Sequence, residues 1–143
     1  METIKLSIQI NASKEKVWEV LWNDDTYKQW TAVFCEGSCV VSDWNEGSKI
    51  RFLDANGNGM FSVIEKKIPN QQISFRHFGE IKDGVEISTE WAGATENYFL
   101  AENENGTELT TVMDSNEEFK EYFETTFPKA LQMVKQLSEK WPA

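Results

Sequence analysis

The sequence predicts an α+β protein in which a curved antiparallel sheet of about six or seven strands wraps around a long C-terminal helix, with one or two short helices after the first strand. Three observations predict this. The chain opens on a strict period-two alternation, returns to that period in several runs after Phe34 with turn residues between them, and closes on an apolar stripe at helical spacing. Strand, short helices, a meander of strands and a final helix is an α+β order, and the simplest packing lays the sheet around the helix while the short helices plug one end. The 143 residues read as one domain, 1–143, large enough to bury roughly two thirds of its unfolded surface.

"TIKLSIQI" places Ile4, Leu6, Ile8 and Ile10 on one face of a strand. In "NASKEKVWEVLWN" Ser13 is positioned to cap a helix that gathers Val17, Val20 and Leu21 on one side, with Trp18 and Trp22 one turn apart. "DDTYKQW" predicts a second short helical turn. "SCVVSDW", "SKIRFL" and "FSVIEKKI" alternate as strands, separated by "NEG" and "DANGNG", and "QQISFRHF" follows Pro69 and Asn70. The glycines and mixed polarity of "GEIKDGVEISTEWAGATE" read as a wide connection. "NYFLAEN" and "TELTTVMD" flank Asn105 and Gly106, a hairpin signal.

The last helix is expected from Ser115, three residues before Glu118 as a capping box requires. Phe119, Phe123, Phe127, Ala130, Val134, Leu137 and Trp141 form its stripe. Pro128 predicts a kink near Glu124 or a break into two pieces.

Twenty-four acidic against fourteen basic residues give a net charge of -10, which repels phosphate backbones and anionic membranes. Neither nucleic acid nor membrane is expected as a partner. With no signal-peptide pattern and no run of eighteen apolar residues, the expected location is cytoplasmic. Cys35 and Cys39 on an extended chain stand about 13 Å apart, beyond disulfide reach, and read as free thiols.

"DANGNGMFSVIE", Asp54 to Glu65, has the spacing of an EF-hand calcium loop. An EF-hand needs a helix on each side, whereas here "SKIRFL" alternates before the loop and Pro69 forbids a long exiting helix. The residues Asn56, Gly57, Asn58 and Gly59 are those of a tight turn, so the stretch reads as a hairpin. No metal and no cofactor are expected.

His77 shares a strand face with Ile73 and Phe75, which makes it either a core histidine or a polar group placed in a cavity. Glu90 and Glu96 are carboxylates that burial would turn to acid or base work, and Glu96 shares its face with Tyr98. Phe119, Phe123 and Phe127 on the helix face strands that supply Phe52, Phe61, Phe75 and Phe99. Rings on both walls suit either an apolar cavity or a filled core.

The element order, together with "KEKVWEVLWNDDTYKQW", "GVEISTEWAGATENYFLAENENGTELTTVMD" and "FPKALQMVKQLSEKW", resembles the START-like helix-grip superfamily, also called SRPBCC. Within it the chain is similar to the bacterial single-domain proteins grouped with the activators of the heat-shock protein 90 ATPase. The resemblance implies a hydrophobic tunnel between sheet and long helix that binds a small apolar molecule. It places Trp30 near the tunnel mouth and Phe123, Phe127 and Leu131 on the gripping helix. Phe52, Phe75, His77, Glu96 and Tyr98 complete the set of cavity candidates, and the resemblance supplies no catalytic residue. Two other functions are open: a co-chaperone whose partner is a chaperone ATPase, and a cofactor-free cyclase or hydrolase acting on a polyketide or aromatic substrate, for which the residues themselves offer Glu96 or His77 as proton shuttle.

Overall fold

A computed structural model describes residues 2–34, 36–89 and 92–140, the side chain of Glu118 excepted. Eleven elements follow one another: β1 (Glu2–Ile10), α1 (Lys14–Trp22), α2 (Asp24–Thr31), β2 (Cys39–Val41), β3 (Lys49–Leu53), β4 (Gly59–Ile68), β5 (Gln72–Lys82), β6 (Val85–Ser88), β7 (Thr95–Asn103), β8 (Gly106–Ser115) and α3 (Glu117–Lys140). The strands form one antiparallel sheet in the order β1-β8-β7-β5-β4-β3-β2, with β6 paired to β5 off this path. The predicted α+β helix-grip architecture is therefore observed, with eight strands.

The alternation of β1 fixes its register, Ile4 facing Met113 and Ile8 facing Leu109 on β8. Helix α3 lies against β1, α1 and α2. Its buried residues Phe127, Ala130, Leu131 and Val134 meet the inward sheet residues Ile10, Ile73, Phe75, Tyr98 and Leu109, and Val17, Val20 and Leu21 of α1 close the same core. Ser13 caps α1 as expected, its Oγ accepting the Lys16 N–H at 3.2 Å. Asn23 caps α2 through the Asp25 N–H.

The stretch from Asp54 is a hairpin between β3 and β4. Asp54 Oδ1 accepts the backbone N–H groups of Asn56 and Asn58 at 2.8 and 3.0 Å, and Gly57 takes φ 81°. Glu65 lies well along β4, where its carboxylate takes Arg76 at 2.7 Å. Gly59 is obligatory for packing, since a Cβ there would stand 1.8 Å from the Phe52 carbonyl oxygen.

Four expectations need correction. The wide connection after Phe78 contains regular structure: β5 runs on to Lys82, and Asp83 and Gly84, with φ 53° and 79°, turn the chain into β6. The turn before β8 is Glu104 and Asn105, with Gly106 already paired to Asn103. The cap of α3 is Asn116, whose Oδ1 accepts the Phe119 N–H at 3.0 Å, because Ser115 is held in β8 opposite Glu2. Pro128 does not divide α3, which runs unbroken through it. Pro128 and Glu124 both face solvent, so water can take the carbonyl that the missing donor frees. Cys39 is a free thiol, while Cys35, Glu90 and Trp141 lie outside the described residues.

Candidate functional site

Strand register puts one charged residue into an apolar row. Reading across the inner face, Ile64 of β4 pairs with Phe75, Phe75 with Glu96, Glu96 with Met113, and Met113 with Ile4. A carboxylate there needs partners, because a buried unpaired charge is costly. Neighbouring positions provide them. His77, two residues beyond Phe75, brings Nε2 to 3.2 Å from Glu96 Oε1, and the Tyr98 O–H donates a short hydrogen bond to Oε2. Ser62 Oγ lies 2.6 Å from His77 Nδ1. A β-bulge between β4 and β5, which leaves Phe78 without a cross-strand partner, brings Ser62 and His77 opposite each other. The connection before β7 then closes over His77, whose backbone N–H donates to the Ala94 carbonyl at 2.8 Å.

The four side chains form a chain, Ser62 to His77 to Glu96 to Tyr98, in which both imidazole nitrogens are engaged. Burial, the largest influence on Glu96, pushes its carboxyl up, but the hydrogen bond and charge of His77 and the Tyr98 hydroxyl outweigh it and hold the group below the ordinary glutamate value. Glu96 is an anion at neutral pH. Burial and the Glu96 charge push the phenols of Tyr98 and Tyr27 well up, so Tyr98 remains a donor.

This chain borders a cavity of about 520 Å³ between the ends of β4, β5, β7 and β8 and the first turns of α3. That volume lies within the range of small-molecule sites, about 300–1,000 Å³. Met60, Ile81, Ala94, Met113, Phe119, Tyr122 and Phe123 supply its apolar wall, and His77 and Glu96 its inner polar end. Glu80, Lys82, Asp114 and Asn116 stand with them in the lining. Among the described residues no group of three His, Cys, Asp or Glu is arranged to hold a metal ion, and no helix is long and apolar enough to cross a membrane.

The nine candidates divide between two places. His77, Glu96 and Phe123 line the cavity. Trp30, Phe75, Tyr98, Phe127 and Leu131 are buried in the packed core, with Phe52 half-buried beside them. Tyr98 touches the site through Glu96. Residues the sequence reading did not single out are Ser62, Met60 and Met113. Ser62 was legible in part, since it shares a strand face with the buried Ile64.

Residues 11–140 match the sequence model of the activator of Hsp90 ATPase homolog 1-like protein family. No curated protein matches the chain. Among solved structures, the Aha1 dimer from Colwellia psychrerythraea is 25% identical with a TM-score of 0.77, and the match covers 97% of each chain. Protein MLL2253 from Mesorhizobium loti is 14% identical with a TM-score of 0.75, over 99% of this chain and 100% of that one. The AHSA1-like protein from Aeromonas hydrophila is 16% identical with a TM-score of 0.70, over 97% of this chain and 93% of that one.

Proposed function

The chain belongs to the activator of Hsp90 ATPase homolog 1-like family, and from that premise we propose that it binds a small, mainly apolar molecule in the cavity under the first turns of α3. The observation that carries this reading is the cavity itself: about 520 Å³ with an apolar wall and one polar end. Such a combination supplies affinity through area removed from water and orientation through a few hydrogen bonds. The half-exposed rings of Phe119 and Tyr122 at its rim give an apolar molecule a first contact.

Native mass spectrometry of purified protein, compared with its denatured mass, tests the reading. A non-covalent adduct that disappears on denaturation, and that Phe123→Trp prevents from forming, is the expected result. An adduct that survives Phe123→Trp unchanged overturns this cavity as the site.

Family membership favours a second reading, stimulation of a chaperone ATPase through the protein surface. A steady-state Hsp90 ATPase assay tests it: a rise in rate on adding the protein supports co-chaperone activity, and an unchanged rate removes it.

A further inference from the structure

Among the described residues, the inner end of the cavity, formed by His77 and Glu96, accepts hydrogen bonds and has none to give. The Nε2 of His77 faces the Glu96 carboxylate at 3.2 Å and must donate to it, since a carboxylate only accepts. Its Nδ1 is taken by Ser62 Oγ at 2.6 Å, accepting the hydroxyl proton when the ring is neutral and donating when it is charged. In both states His77 is saturated. The Tyr98 hydroxyl has spent its proton on Glu96 Oε2. Glu96 itself keeps capacity, for an ionised carboxylate offers about four lone-pair sites and these two donors use two. Its side chain is 20% exposed, and it lies in the cavity wall.

Two further polar groups of the lining, Asp114 and Ser115, are occupied by the fold. Asp114 Oδ2 accepts the Thr95 N–H and hydroxyl at 3.0 and 3.1 Å, and Ser115 donates to the Asn116 carbonyl at 3.0 Å. The charged lining residues are Glu80, Glu96 and Asp114 against Lys82. Lys82 is solvent-exposed, where an ion pair is weak.

Resting on the ligand-binding reading above, we infer that the cavity takes amphiphiles whose apolar body carries a hydrogen-bond-donating head, an ammonium before a hydroxyl, and turns away carboxylates. The donating head seats against Glu96 and the body lies along Met113 and Phe123. A carboxylate head at that position meets the like charge of Glu96 and, among the described residues there, finds no donor.

Four probes with one ring system separate this inference from the reading beneath it: 2-methylnaphthalene, 2-naphthylmethanol, 2-naphthylmethylamine and 2-naphthoate, titrated by fluorescence at pH 7 in 0.15 M salt. At that ionic strength the general attraction of a -10 chain for cations is screened beyond about 8 Å. The amine is expected to bind at least tenfold more tightly than the naphthoate, with the alcohol and the hydrocarbon between them. Glu96→Gln is expected to erase the amine's advantage, and Phe123→Trp to abolish binding of all four. Naphthoate binding as tight as the amine overturns the inference and leaves the ligand-binding reading intact, as does an amine advantage that persists in a folded Glu96→Gln protein. Binding of none of the four overturns that reading, and the inference with it. The wild-type series is decisive by itself should Glu96→Gln fail to fold.

Discussion

The space between sheet and α3 has two ends built from the same kinds of residue, and only one of them is filled. Beside α1, the Trp22 ring lies 4.9 Å from Tyr98, 5.5 Å from Phe75 and 5.6 Å from Trp44, each measured between ring centroids. Phe34 adds Phe127 at 5.3 Å. Trp22 meets Tyr98 and Phe75 edge-to-face, which adds to the burial of each ring. At the other end, beneath Phe119 and Phe123, no helix among the described residues stands in the place that α1 takes, and the cavity opens. Phe119 and Tyr122 remain 45% exposed. The difference teaches that ring content does not decide between core and cavity; a second helical layer does.

If that is right, equal truncations at the two ends have unequal costs. Phe75→Ala removes a fully buried ring from the packed end and should cost about 3–5 kcal/mol. Phe119→Ala at the open end should stay within about 0.5 kcal/mol in stability. Urea unfolding midpoints measure both. Similar losses would erase the division between the ends.

Enlarging side chains sharpens the comparison in the opposite direction. Leu131→Trp, 2% exposed in the packed core, overfills it and should destabilise by about 1–3 kcal/mol while leaving the cavity free to bind. Phe123→Trp should stay near wild-type stability and lose probe binding. If Leu131→Trp alone blocks binding, the occupied volume lies at the other end.

The ends also differ in how far the sequence disclosed them. The packed end follows mostly from period: the alternation of β5 and the stripe of α3 disclose Phe75 and Phe127 as facing the sheet–helix space, while Leu131, outside that stripe, was placed on the gripping helix by the resemblance to helix-grip proteins. Whether that space was full was not legible, because it depends on where α1 and α2 dock. The open end depends on register. Glu96 was visible as a carboxylate sharing the face of Tyr98, inward only if that face is the inner one, but its bond to His77 needs the β5–β7 register, and Ser62 reaches His77 only through the bulge at Phe78. Strand β6 was missed although Asp83 and Gly84 carry a turn signal, since the glycines on either side hid the short alternation between them. The cap of α3 was misplaced by one residue because Ser115 and Asn116 both have capping side chains, and only pairing with Glu2 assigns Ser115 to the sheet.

The polar end should make the protein's stability respond to acid. Glu96 titrates below its ordinary value in the folded chain, so its ionised form favours folding. That contribution is complete above the unfolded glutamate value, about 4.3, and is lost as pH falls through the lower folded value. The stability gap between wild type and Glu96→Gln, read from urea midpoints, should therefore be constant from pH 7 to 5 and narrow below about pH 4.3. A gap that widens on acidification would reverse the sign and place Glu96 in the folded protein as a neutral acid.

A modest effect is expected from the outermost member of the chain. Ser62→Ala removes the partner of His77 Nδ1 and leaves the Glu96 and Tyr98 bonds in place. A neutral hydrogen bond of this kind contributes about 1 kcal/mol. Its larger consequence concerns the ring. Without Ser62 the Nδ1 nitrogen loses that partner, while the donation from Nε2 to Glu96 persists. Nitrogen-15 NMR of the imidazole reads this directly: the Nε2–H form should dominate in the neutral wild-type ring and remain dominant in Ser62→Ala, with a changed Nδ1 shift. A wild-type ring carrying its proton on Nδ1 would mean that Glu96 does not hold the imidazole and that Ser62 Oγ accepts the ring proton instead.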